Sequence, residues 1–193
     1  DMEPGELLLV EKSVFFVFGE EHAARACKQC GKPKTRVRCD KCRRFYCSDA
    51  CRASEATLHD SFCDVFSNVP AVAQRCGVDE QLLTAVFEFA LATMKDGAST
   101  RTLGDNGAVC LSASDAQSLF VHASASSAEW LASVTEAIDA VLNEAPASTA
   151  VRSNFTTDTL VQFAQCINAN AHAIVEKSTS LGFGMFPLVA MLN

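Results

Sequence analysis

The sequence predicts an α+β chain in which a small, irregular, metal-stabilised module separates short N-terminal strands from a helical region. Three observations predict it. Seven of ten cysteines fall between Cys27 and Cys63, in close pairs. The stretch before them is rich in Leu, Val and Phe, as buried strands require. The stretch after them repeats apolar residues at helical spacing, punctuated by capping residues.

Two strands are expected first, over 6–11 and 14–18, joined by a Lys12–Ser13 turn. Beyond the cysteines, Asp79 caps a helix running to Lys95 and ended by Gly97; its apolar face is Leu82, Leu83, Val86, Phe87, Ala90 and Met94. Residues 97–107 form a polar loop. Ser114 caps a short helix to His122. Ser126 or Ser127 caps another, with Trp130, Leu131, Val134, Ile138, Val141 and Leu142 on its apolar side and Pro146 closing it. Thr156 or Thr157 caps a fourth, carrying Leu160, Val161, Phe163, Ala164 and Ile167. A strand over 171–176, a Gly-punctuated loop over 182–187 and a short apolar element over 188–192 complete the chain.

The cysteine spacing carries chemistry. It reads Cys27-x2-Cys30, eight residues, Cys39-x2-Cys42, four residues, Cys47-x3-Cys51, seven residues, His59-x3-Cys63. Zinc takes four sulfur or imidazole ligands in a tetrahedron. A Cys-x2-Cys turn brings two sulfurs to one ion, and an i, i+4 pair lies on one face of a helical turn. Eight ligands in four pairs fill two closed sites with no open position, so two structural zinc ions are expected and not catalytic ones. Thirty-seven residues with few apolar side chains cannot fold unaided, whereas structural zinc supplies roughly 10–16 kcal/mol per site. Paired cysteines without a secretory leader fit a reducing compartment, cytoplasmic or nuclear, better than a disulfide scaffold. Spacing alone leaves open which pairs share an ion. Cys76, Cys110 and Cys166 read as small apolar residues, and His22, His122 and His172 as ordinary histidines.

Charge is uneven. The net charge is −7, yet 25–52 carries ten Lys/Arg against two Asp, and the remainder six against twenty-one Asp/Glu. A basic patch of Lys32, Lys34, Arg36, Arg38, Lys41, Arg43 and Arg44 on an acidic body admits an anionic partner, nucleic acid included. No run of eighteen apolar residues exists, so no membrane span is expected, and a monomer is expected.

The ligand pattern, with Phe45-Tyr46 before Cys47, closely resembles the MYND zinc finger. That resemblance implies interleaving: Cys27, Cys30, Cys47 and Cys51 hold one ion, and Cys39, Cys42, His59 and Cys63 the other. The flanks resemble the SET domain of lysine methyltransferases. Gly5-Glu6-Leu7-Leu8-Leu9-Val10-Glu11 is similar to its early strands, Asn170-Ala171-His172-Ala173-Ile174 to an inner strand, and 181–193, ending in Leu192-Asn193, to the segment leading into its Asn-His-Ser-Cys motif. A finger splitting a SET domain is the arrangement of the SET-and-MYND (SMYD) methyltransferases. The resemblance implies partial SET strands over 1–26, the finger over 27–63, a helical SET insertion over 64–165 and the start of the SET core over 166–193. It also implies S-adenosylmethionine as cofactor, contacted by Asn193 and Asn170, and a protein substrate or a proline-rich peptide as partner, with Phe45 and Tyr46 as candidate groove residues. Gly182 and Gly184 are expected to serve backbone turns. No catalytic residue is expected here: the family's Gly-rich loop, later strands and catalytic tyrosine are not among these residues, and the only tyrosine, Tyr46, lies in the finger. The segment by itself is therefore expected to be inactive.

Overall fold

The computed structural model describes residues 10–95, 102–103, 109–119, 121, 126–146 and 149–191. Two strands come first, β1 (Glu11–Lys12) and β2 (Phe16–Phe18). They do not form a hairpin. β1 pairs in parallel with β6 (Val109–Cys110), which also pairs with β5 (Thr102–Leu103). β2 pairs antiparallel with β8 (Thr179–Met185), with Phe16 opposite Gly184 and Phe18 opposite Gly182. Lys12 is thus a strand residue and not part of a turn. Each strand finds a distant partner, and around β2 the residues Phe15 and Val17 are both in the core.

β8 also pairs with β7 (Ala171–Glu176) through a two-residue loop in which Lys177 and Ser178 both take positive φ. The expected Gly-rich loop over 182–187 is therefore mostly strand. Its glycines allow close approach of β2 instead of turning the chain. A Cβ on Gly182, at φ 140°, would sit 2.0 Å from the Val17 carbonyl oxygen, and one on Gly184 would sit 2.7 Å from that of Phe15. The short helix α8 (Pro187–Met191) follows; the carboxylate of Glu11 accepts the backbone N–H groups of Leu188 and Val189 at 2.9 and 3.0 Å.

Between β2 and β7 lie the finger and the helices. After α1 (Glu20–Ala23), the finger holds a two-stranded ribbon, β3 (Val37–Arg38) with β4 (Phe45–Tyr46). Then comes α2 (Asp49–Cys76), 28 residues long. Ser48 caps it by accepting the Cys51 N–H, and Gly77, at φ 65°, ends it in the left-handed conformation. Pro70 sits inside it with its ring exposed. This helix crosses the expected boundary at residue 63. Its finger half carries ligands; its second half buries Phe62, Val65, Val69 and Val72.

α3 (Glu80–Lys95) begins as expected, with the Asp79 carboxylate accepting the Leu82 N–H at 2.7 Å. α4 (Ala113–Gln117) is capped by Ser112, not Ser114, because Ser112 and Asp115 form a reciprocal capping box. α5 (Ala128–Glu144) is capped by Ser127 and α7 (Thr157–Asn170) by Thr156, with the short α6 (Ala150–Asn154) between them. α2 packs on α3 and α5, and α3 on α7. A run of rings, Phe15–Phe89–Phe163, joins sheet to helices at centroid distances of 5.5 and 4.7 Å. Among the described residues no helix is long and apolar enough to cross a membrane. Asn193, His122 and the 97–107 loop, Thr102 and Leu103 aside, lie outside the described residues.

Candidate metal centres

Two ligand sets converge. The sulfurs of Cys27, Cys30, Cys47 and Cys51 form one, and those of Cys39, Cys42 and Cys63 with the His59 ring form the other; within each, the ligand atoms lie within 4.8 Å of one another. The sets interleave along the chain, first pair with third and second pair with fourth. A tetrahedral ion bound at about 2.3 Å separates its sulfurs by about 3.8 Å. In the first set Cys30 and Cys47 are 3.7 Å apart, Cys47 and Cys51 3.5 Å, and Cys51 and Cys30 3.8 Å. In the second, Cys39 and Cys63 are 3.6 Å apart, and Cys42 Sγ lies 3.1 Å from His59 Nε2. Both donor sets fit a structural zinc ion: four soft or borderline ligands and no open position.

Local structure explains the convergence. α2 is the spine of both sets, giving Cys51 to one and His59 with Cys63, one turn apart, to the other. Cys51 and His59 are separated by about 12 Å along the axis, so one rigid helix spaces the two centres. The ring of His59 is held by Asp60, whose Oδ1 faces Nδ1 at 3.3 Å, leaving Nε2 directed at Cys42.

Each Cys-x2-Cys turn helps to lower the pKa of its first sulfur. Burial alone would raise the Cys27 pKa, but the N–H groups of Cys47, Cys30 and Gln29 point at the sulfur and bring it down to about 7. The Cys39 thiol is also lowered: burial is outweighed by the N–H groups of Cys42 and Lys41. Burial pushes the Cys42 thiol up to about 12, and a hydrogen bond to Cys47 heads the causes that push Cys51 up to about 12. A metal ion must displace those protons.

A buried ionic network, absent from the sequence reading, joins the finger to the helices. Arg44, on β4's flank, pairs with Glu55 of α2 at 3.3 Å and with Glu88 of α3, while its guanidinium lies 4.1 Å from the Phe66 ring centroid. Lys28, next to Cys27, reaches Glu88 at 2.9 Å and donates to the Phe16 carbonyl at 2.6 Å. Tyr46 donates its hydroxyl to Glu55 at 2.8 Å. Burial opposes charge on Glu88, but Arg44 and Lys28 hold its carboxyl below the usual range. Burial likewise opposes charge on Arg44, and Glu88 and Glu55 more than offset it. For Lys28 burial prevails and lowers the ammonium below its usual range. The sequence did hold a signal for this: Glu88 interrupts the otherwise apolar run from Ala85 to Ala92.

The basic patch is correspondingly smaller than the sequence implies. Arg44 is buried and the exposed Lys41 pairs with Asp64, leaving Lys32, Lys34, Arg36, Arg38 and Arg43 as the other exposed cations of the patch. Tyr46 is fully buried and belongs to the finger core; Phe45 is half-buried and lines a cleft of about 490 Å³ together with Phe18, Phe66 and Pro70. A second cleft measures about 970 Å³, and Lys28 and Glu88 line both. Asn170 is the last residue of α7, where its amide donates to the Cys166 carbonyl at 3.1 Å. Cys166 is buried, as a small apolar residue would be. No family model and no curated protein matches the chain.

Proposed function

We propose that this chain is the zinc-finger-bearing segment of a SET-and-MYND-type protein-lysine N-methyltransferase that uses S-adenosylmethionine. The observation that carries the reading is the cross-braced ligand order, first pair with third and second pair with fourth, within 27–63. The sheet adds support. β2, before the finger, and β8, after the helices, are direct neighbours, so finger and helices stand as an insertion into one sheet, as a split SET domain requires. In this reading two zinc ions shape the finger. Asn170 and Asn193 would be the residues that contact the cofactor, whose methyl group a lysine amine would take by in-line attack.

Native mass spectrometry should find two zinc ions per chain. The natural protein carrying this sequence should move labelled methyl from S-adenosylmethionine to protein lysines, and Asn170→Ala should raise KM for the cofactor more than it lowers kcat. Two bound zinc ions without any cofactor binding would refute the enzyme reading and leave the finger standing.

A second reading, a non-catalytic module for proline-rich peptides, is favoured by one observation: the cleft beside the finger that Phe18, Phe45, Phe66 and Pro70 line. Peptide titration with Phe45→Ala as control separates it, since only a peptide groove loses binding with that ring. Nucleic-acid binding is less favoured, because of the seven cations it invoked Arg44 is buried and Lys41, at the surface, is paired with Asp64.

A further inference from the structure

We propose that the cluster of Cys27, Cys30, Cys47 and Cys51 is an oxidation site that gives up its zinc reversibly, while the cluster of Cys39, Cys42, His59 and Cys63 keeps its own. The inference rests on both clusters holding zinc. The two differ in access and not in ligand number. In the second, Cys39, His59 and Cys63 are 6, 4 and 8 % exposed and Cys42 is half-buried, so none is exposed. In the first, only Cys27 is buried; Cys30 is exposed, and Cys47 and Cys51 are half-buried. Oxidation of thiolates follows access, so a hydroperoxide meets the first cluster, at Cys30.

The step balances with a hydroperoxide as oxidant. The Cys30 thiolate attacks one peroxide oxygen, the O–O bond breaks, sulfur becomes a sulfenic acid and the other oxygen leaves as hydroxide or alkoxide. Cys47 Sγ at 3.7 Å, or Cys51 Sγ at 3.8 Å, then attacks that sulfur. The S–S bond forms, the S–O bond breaks and a hydroxide leaves. Two thiolates lose two electrons and the peroxide gains them. With two of its four sulfurs joined, the cluster would keep too few ligands to hold a zinc ion. A thiol reductant reverses the disulfide.

The structure gives this release a consequence. Cys27 opens the turn that carries Lys28, held by the bonds Gly31 N–H to Cys27 O at 2.8 Å and Lys28 N–H to Phe45 O at 2.8 Å. The Lys28–Glu88 pair is common wall to both clefts. Losing the first ion would leave that turn to its backbone bonds alone, loosening residues 28–32 beside the wall that the two clefts share. His59 and Cys63, one turn apart in α2, keep the second centre and the helix in place.

The test uses the zinc-loaded chain and hydrogen peroxide, reading zinc release with a chromogenic chelator, disulfides by peptide mass spectrometry, and amide exchange. One of two ions should leave at least about tenfold faster than the other. The first disulfide should contain Cys30, and exchange should rise over 28–32 while 59–66 stay protected. Reductant with zinc should restore two ions. Release of both ions at one rate, release of neither, or a first disulfide among Cys39, Cys42 and Cys63 would overturn the inference while leaving the zinc reading intact. Fewer than two ions before oxidation would overturn both.

Discussion

Replacing Glu88 by Gln tests the junction between finger and helices. Glu88 is 5 % exposed and faces two cations, Arg44 and Lys28, the latter at 2.9 Å. The substitution keeps its volume and removes its charge. Arg44 then retains Glu55 at 3.3 Å, and Lys28 retains the Phe16 carbonyl. The two buried cations then have only Glu55 as a nearby buried carboxylate, and it already faces Arg44 at 3.3 Å and Lys95 at 3.6 Å. Breaking a buried pair by removing one partner costs about 3–5 kcal/mol, against a total of about 5–15 kcal/mol for a domain. With a urea slope of about 2 kcal/mol per molar, the midpoint should fall by about 2 M. The assay is urea unfolding of the zinc-saturated protein, followed by far-UV circular dichroism. The pH dependence adds a sign. The folded pKa of Glu88 lies below its unfolded value, so its stabilisation is complete above the ordinary glutamate range and is lost as pH falls through the depressed folded value. The gap between the two proteins should therefore close on acidification. A midpoint shift equivalent to less than about 1 kcal/mol, the scale of a solvated surface pair, would refute the claim of a buried, mutually dependent network.

Other outcomes follow from the same structure. Chelation should abolish the finger and the ordered first turns of α2, seen as a loss of helical signal that zinc restores, because each site contributes roughly 10–16 kcal/mol. Zinc binding should release protons, since the Cys42 and Cys51 thiols lie at about 12, and affinity should fall as pH falls; calorimetry in two buffers of different ionisation enthalpy measures this. Gly182→Ala should cost about 2–3 kcal/mol, because its Cβ meets Val17 O at 2.0 Å. Gly77→Ala, at φ 65° with nothing within 4 Å, should cost only about 1 kcal/mol of backbone strain, and equal losses for the two would contradict the close approach of β2 and β8.

The ligand positions could be read from sequence because metal chelation by pairs is local. Two sulfurs across a two-residue turn, or two ligands one helical turn apart, meet whatever the rest of the chain does. Helix caps such as Ser127, Thr156 and Asp79 were legible for the same reason. The single long α2 was not read. Its apolar positions Phe62, Val65, Phe66, Val69 and Val72 keep helical spacing, yet they begin among ligands and run through Pro70, which usually ends a helix.

Strand partners could not be read at all. Residues 6–18 look like a hairpin because adjacent apolar runs favour the shortest connection. Tertiary packing instead sends β1 to Val109–Cys110 and β2 to Gly182–Gly184. That choice is made by burial of Phe15 and Val17 and by two glycines thin enough to let the backbones touch. The charge network has the same origin. Sequence by itself determined that eight ligands form closed pairs, since their geometry depends on a few neighbouring dihedral angles. Only the tertiary structure decided that Lys28 and Arg44 leave the basic surface to meet Glu55 and Glu88, because a buried charge is tolerable only where opposite charge arrives from elsewhere in the chain.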